Sequence, residues 1–113
     1  MLSIQELSKK QSAFSGGHRM CAGCGVPIFT RMLTQVTDYE IVVINATGCL
    51  EVASTIFPYS AWRVPWVHTA FENASSTASG VEAMYRCLAK QGKAKKKTKF
   101  VVIGGDGGSY DIG

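Results

Sequence analysis

The sequence predicts an α/β fold built on a parallel sheet, and three observations carry that prediction. Two β-branched runs, residues 40–46 and Phe100-Val101-Val102-Ile103, alternate with two segments of helical periodicity. Both runs are apolar at consecutive positions, the pattern of strands buried on both faces. Each ends in a glycine-bearing loop, Thr47-Gly48-Cys49 or Gly104-Gly105-Asp106-Gly107-Gly108, where open α/β sheets bind ligands.

The elements follow in order. Ser3-Ile4-Gln5-Glu6 fits a capping box, so a short helix opens the chain before a turn at Ser15-Gly16-Gly17. Pro27 suits a first helical turn, and Ile28, Met32, Leu33 and Val36 recur at helical spacing in a helix that ends near Thr37-Asp38. The strand over 40–46 comes next. Val64-Pro65-Trp66-Val67-His68 is short and carries proline, so it reads as a weak or edge strand. From Asn73 to Gln91 the pattern is helical: Ala74, Ala78, Val81, Tyr85 and Leu88 form one stripe, with Glu82, Arg86 and Lys90 opposite. Asn73 can cap that helix and Gly92 can end it. A lysine-rich loop leads into the last strand. There is no internal repeat and no second domain, and the sequence stops one or two residues into what should be the next element. The expectation is therefore a single domain, truncated at its C-terminal side.

Composition narrows the function classes. At 113 residues the chain is shorter than a typical domain of about 150. With 46% hydrophobic and 18% charged residues it can bury a core, which excludes disorder for the whole. No apolar run nears the ~18 residues of a membrane span, and Met1–Gln11 lacks a signal-peptide core, so a soluble, cytoplasmic protein is expected. The net charge of +4 is local: six of the twelve basic residues fall between Lys90 and Lys99, and elsewhere six basic residues face eight acidic ones. Such a run reads as a solvated loop, because a nucleic-acid binder spreads basic side chains over a face and adds a reading element.

Cys21-x-x-Cys24 is the strongest local motif. Two thiols at that spacing on a glycine-rich loop can point at one metal site. A thioredoxin-like redox pair would follow a strand, which Gly16–Met20 is not, and a zinc ribbon wants a second close pair, whereas Cys49 and Cys87 stand alone. An iron–sulfur site can use an isolated third cysteine, and Cys49 lies on a glycine loop at a strand end. Cys87, off the helix stripe, reads as a bland surface residue. His68 has no acid or nucleophile at a suggestive spacing and reads as a buried, hydrogen-bonded histidine. Within Gly104–Gly108, glycines let backbone amides approach phosphate oxygens and Asp106 can hold Mg²⁺, although the motif alone more often marks a ligand-free turn.

Four segments together are more specific than any one motif: Gly17-His18-Arg19-Met20-Cys21-Ala22-Gly23-Cys24-Gly25, Asn45-Ala46-Thr47-Gly48-Cys49-Leu50-Glu51, Trp66-Val67-His68-Thr69-Ala70-Phe71-Glu72-Asn73, and Gly104-Gly105-Asp106-Gly107-Gly108-Ser109-Tyr110-Asp111. In this order they resemble the β subunit of pyruvate (2-oxoacid):ferredoxin oxidoreductase, over roughly residues 16 to 113. The resemblance implies a thiamine-diphosphate-binding fold of which residues 1–113 are the N-terminal part. It also implies oxidative decarboxylation of a 2-oxoacid, pyruvate by default, with coenzyme A as acyl acceptor and ferredoxin as electron acceptor. Carried over by position, Cys21, Cys24 and Cys49 match three ligands of a [4Fe–4S] cluster. Gly105, Asp106, Gly107 and Gly108 match the diphosphate loop, with Asp106 on Mg²⁺, and Thr47, Gly48 and Cys49 lie beside the thiamine. No residue here matches a catalytic acid or base. The fourth cluster ligand and the remaining Mg²⁺ ligands fall beyond Gly113, so this stretch alone is expected to be inactive, and its partners are the α and other subunits of the oxidoreductase.

Two readings of other classes compete. A small non-catalytic zinc-binding module would use Cys21, Cys24, Cys49 and Cys87, and an RNA-binding fragment would use the lysine loop, with steeply salt-dependent binding.

Overall fold

A computed structural model describes residues 3–94 and 97–113. Its centre is a three-stranded parallel sheet in the order β2-β1-β3, with β1 over Glu40–Ala46, β2 over Trp66–Thr69 and β3 over Thr98–Ile103. The register sets Val43 beside Trp66 on one side and beside Val101 on the other. The described residues also form four helices, α1 (Ile4–Lys9), α2 (Gly25–Val36), α3 (Cys49–Ser54) and α4 (Ala74–Lys90), of which α4 packs most extensively on the sheet. One π-helical turn, Gly107–Asp111, follows β3.

Because side chains alternate along a strand, β1 feeds two cores. Ile41 and Val43 pack with Phe14, Leu50, Ala61 and Trp62 on one face, and Ile44 and Ala46 pack with Ala74 and Ala78 of α4 on the other. Trp62 fixes the first core through a polar tether, its Nε1–H donating to Ser54 Oγ at 2.9 Å. The expectation of a strand buried on both faces holds for β1, which is covered at Ile41 and from Val43 to Ala46. It fails for β3, where no residue is fully buried and Val102 is 42% exposed. Among the described residues β3 is an outer strand: Val101 and Ile103 pack against one core and Phe100 against the other, but one edge lacks cover. The proline-bearing segment is an edge strand, as expected.

The capping box is present: Glu6 N–H donates to Ser3 Oγ and Ser3 N–H donates to Glu6 Oε2 at 2.7 Å. Helix α4 buries Ala74 and Ala78 and partly covers Val81, Tyr85 and Leu88, and Gly92 ends it with φ +71°. Asn73 stands at its cap position but does not cap it; its Oδ1 is buried without a hydrogen-bond partner.

Helix α2 departs further from the sequence pattern. Ile28, Met32 and Val36 are 61%, 58% and 54% exposed, and the buried residues are Thr30 and Thr34. Each threonine hydroxyl donates to a carbonyl within the helix, Thr30 to Val26 and Thr34 to Arg31, both at 2.9 Å. With the hydroxyl satisfied locally, the methyl groups can face the core. Helix α3 has no counterpart in the sequence pattern. In the lysine loop, Lys95 and Lys96 lie outside the described residues; Lys93 and Lys97 are exposed, and Lys99 sits on β3 with its ammonium 5.0 Å from the Tyr39 ring centroid. No helix of the described residues is long and apolar enough to cross a membrane.

Candidate functional site

The chain leaves β1 and β3 on opposite faces of the sheet. After β1 it turns into α3, whose Leu50 joins the core of Ile41 and Val43. After β3 it turns toward the α4 face, where Gly108 lies against Ala46 and Phe71. Between two strand ends whose connections diverge, an open α/β sheet leaves a crevice. Here the crevice is a cleft of about 560 Å³, lined by residues 45–50, residues 103–108, Val26 and Phe29 of α2, and Phe71.

That cleft gathers Thr47, Gly48, Cys49, Gly105, Asp106, Gly107 and Gly108, which come from two loops far apart in sequence. Their local geometry divides the glycines by role. A Cβ at Gly108 would fall 2.5 Å from the Phe71 carbonyl oxygen, so this glycine lets the loop press against the β2–α4 connection. At Gly105 and Gly107 a Cβ would meet nothing within 4 Å, so their missing side chains leave open space in the cleft. Asp106 is exposed at the head of the π-helical turn, and among the described residues its carboxylate makes no hydrogen bond or ion pair. An unshielded carboxylate beside bare backbone suits a hydrated divalent cation with a diphosphate.

The cysteines are arranged less simply. Cys49 is the first residue of α3 rather than part of an extended loop, and it is exposed at the cleft. Cys24 caps α2 by position, half-buried, and its N–H donates to the Cys21 carbonyl at 3.1 Å in a tight turn through Gly23 at φ +78°. Cys21 is exposed and, like Cys24, lies outside the cleft lining, but the first turns of α2 share the cleft with Cys49. Among the described residues no three His, Cys, Asp or Glu side chains are close enough to hold one metal ion. Cys87 is exposed on α4, whose buried residues pack on the face of the sheet opposite Leu50 of α3, so the four cysteines expected of a zinc module are not brought together among the described residues.

His68 also departs from expectation. It is hydrogen-bonded but not buried, with a side chain 45% exposed, and two polar partners face it. Its Nε2 lies 2.9 Å from Thr47 Oγ1, and its Nδ1 lies 3.8 Å from Glu51 Oε1. The sequence hides this group because its members sit on β2, the β1–α3 turn and α3, and only the pairing of Asn45 with His68 aligns them. Val26, Phe29 and Phe71 are hidden as cleft residues for a similar reason, being apolar side chains without a motif of their own.

The chain is 52% identical over 114 residues to the pyruvate synthase subunit PorB of Thermotoga maritima, a match covering 96% of this chain and 35% of that protein. To PorB of Methanocaldococcus jannaschii it is 54% identical over 106 residues, covering 92% and 36%. To the ketoisovalerate oxidoreductase subunit VorB of Pyrococcus abyssi it is 32% identical over 100 residues, covering 88% and 32%. No protein-family model matches. The chain thus spans about a third of the length of these relatives, all of them oxidoreductase or synthase subunits. By these matches along nearly all of its length, the chain belongs to the family of the PorB and VorB enzyme subunits.

Proposed function

We propose that the chain is part of a 2-oxoacid:ferredoxin oxidoreductase β subunit, in which residues 1–113 form the N-terminal part of one thiamine-diphosphate-binding domain. The observation that supports it most is the meeting of Thr47-Gly48-Cys49 with Gly105-Asp106-Gly107-Gly108 in one cleft. Asp106 supplies the anionic oxygen for Mg²⁺, and Gly105 and Gly107 leave room for a diphosphate to lie against the backbone. When bound, thiamine diphosphate supplies the carbanion stabilisation that decarboxylation of a 2-oxoacid requires. Pyruvate is the favoured substrate, with branched-chain 2-oxoacids second, and coenzyme A takes the acyl group.

Cys21, Cys24 and Cys49 are the thiolates for a [4Fe–4S] cluster that passes electrons toward ferredoxin. Thiols too widely spread to share one ion can still bind separate irons of a polynuclear cluster. Cys49 lines the cleft itself, so a cluster held there lies next to the site of oxidation, which shortens the electron path. The protein works as one subunit among several, in the cytoplasm.

The test is Asp106→Asn in the full-length, assembled enzyme. The amide keeps the shape and loses the charge that offsets cation dehydration. Thiamine diphosphate affinity should fall at limiting Mg²⁺ and partly recover as Mg²⁺ is raised, while iron per chain stays at the parent level. Cofactor binding as tight as the parent's at limiting Mg²⁺ would make Asp106 a mere turn residue and remove the diphosphate loop from the reading.

A further inference from the structure

We propose that His68 is a positioning residue that fixes Thr47 and through it the Thr47-Gly48-Cys49 wall of the cleft; this rests on the reading of that cleft as the reaction site.

Three elements converge on the imidazole. Thr47 is the first residue after β1, and both its N–H (3.0 Å) and its hydroxyl (3.2 Å) donate to the Thr69 carbonyl. His68 Nε2 approaches the same hydroxyl oxygen at 2.9 Å. Both hydroxyl contacts are satisfied together when the hydroxyl proton goes to Thr69 and Nε2–H donates to Oγ1. The opposite ring edge, Nδ1, lies 3.8 Å from the Glu51 carboxylate, too far for a direct hydrogen bond, so the hold on Thr47 comes from Nε2 alone. Stacking on Trp66, with centroids 6.1 Å apart, restricts the ring plane. Thr47 is therefore pinned by the end of β2 on two sides, two residues before Cys49.

Among the described residues no comparable side-chain bond holds the rest of the turn. Gly48 has open backbone around it, with no atom nearer than 4.0 Å to the place of a Cβ. Gly48 accepts the Val52 amide to begin α3, but no side chain bonds to it as a cap. The direction in which Cys49 is presented to the cleft thus depends on where Thr47 is anchored, and the anchor is an exposed histidine outside the cleft lining.

The experiment uses the full-length, assembled enzyme and compares His68→Ala, His68→Gln and Thr47→Val. Amide hydrogen exchange across residues 47–52, the spectrum of the reduced cluster and iron per chain are measured. Glutamine places an amide near the position of Nε2 and keeps the bond to Thr47; alanine loses it. His68→Ala should speed exchange at residues 47–49 by about tenfold and shift the cluster's electron paramagnetic resonance signal at unchanged iron. His68→Gln should stay close to the parent, Thr47→Val should reproduce the alanine effect, and His68→Ala should add nothing to Thr47→Val. Equal effects of alanine and glutamine, or a full alanine effect in the Thr47→Val background, would overturn the assignment. The two readings fail separately: Cys49→Ala with full iron content would sink the ligand role of Cys49, while the exchange pattern would still decide whether His68 anchors Thr47.

Discussion

At Gly105 and Gly108 the same residue type does two different things, and one substitution tells them apart. Gly108→Ala must push against the Phe71 carbonyl, which is backbone and cannot swing aside, so it should destabilise by about 1–3 kcal/mol in denaturant unfolding. Gly105→Ala meets no protein atom and should leave unfolding nearly unchanged, yet weaken thiamine diphosphate binding in the full-length enzyme, because its methyl group enters the cleft. Equal losses of stability would refute that division of roles. Trp62→Phe is a second test at this scale: the ring volume is largely kept, but buried Ser54 loses the Nε1–H donor. A cost of about 1–3 kcal/mol is expected, read from urea midpoints at constant slope. Both loops of the cleft were legible in the sequence because each follows an apolar, β-branched run, the place where open α/β sheets bind ligands. The His68–Glu51–Thr47 group was not, since nothing in a linear spacing shows that a strand end and a helix turn will meet.

Among the elements, legibility followed how completely local chemistry decides the outcome. Helix α1 is set by its cap, and the Ser3 backbone N–H, followed by its side chain, holds the Glu6 carboxyl below its ordinary value of 4.5. A lowered folded value means this contribution is present above the unfolded value and lost as pH falls through the folded one. The amide of Glu6 should therefore lose protection from hydrogen exchange below about pH 4.5, and Glu6→Gln should make that loss insensitive to pH. In α4 the apolar stripe and the buried face coincide, so the pattern located it correctly. In α2 they do not: the helical period is real, but Thr30 and Thr34 hide their hydroxyls in the helix and occupy the core side. Helix α3, six residues long, is too short for any period to register.

For the whole molecule, the misplaced stripe of α2 has a physical consequence. Ile28, Phe29, Met32 and Val36 form an exposed apolar face on this 113-residue stretch, and such faces drive association. Replacing Ile28 and Met32 with Gln should reduce self-association in size-exclusion chromatography while leaving the unfolding free energy of the isolated stretch within about ±0.5 kcal/mol of the parent. Aggregation unchanged by both substitutions would show that the face is not responsible.

The carboxamide of Asn45 donates to the Ile103 carbonyl across a separation of 58 residues, and this gives the sheet a timetable. On the ribosome the central strand is made first and waits for both flanks. It can pair with Trp66–Thr69 early, but its other edge stays open until Thr98–Ile103 emerges. During that interval the newly made chain carries an unpaired β-branched edge, the kind of surface that recruits wrong neighbours. The long helix between the flanking strands closes its own hydrogen bonds locally and arrives before the last strand. Synthesis therefore shelters one face of the sheet before it seals the edge, and a slow step in translating the lysine-rich segment would prolong the exposed state.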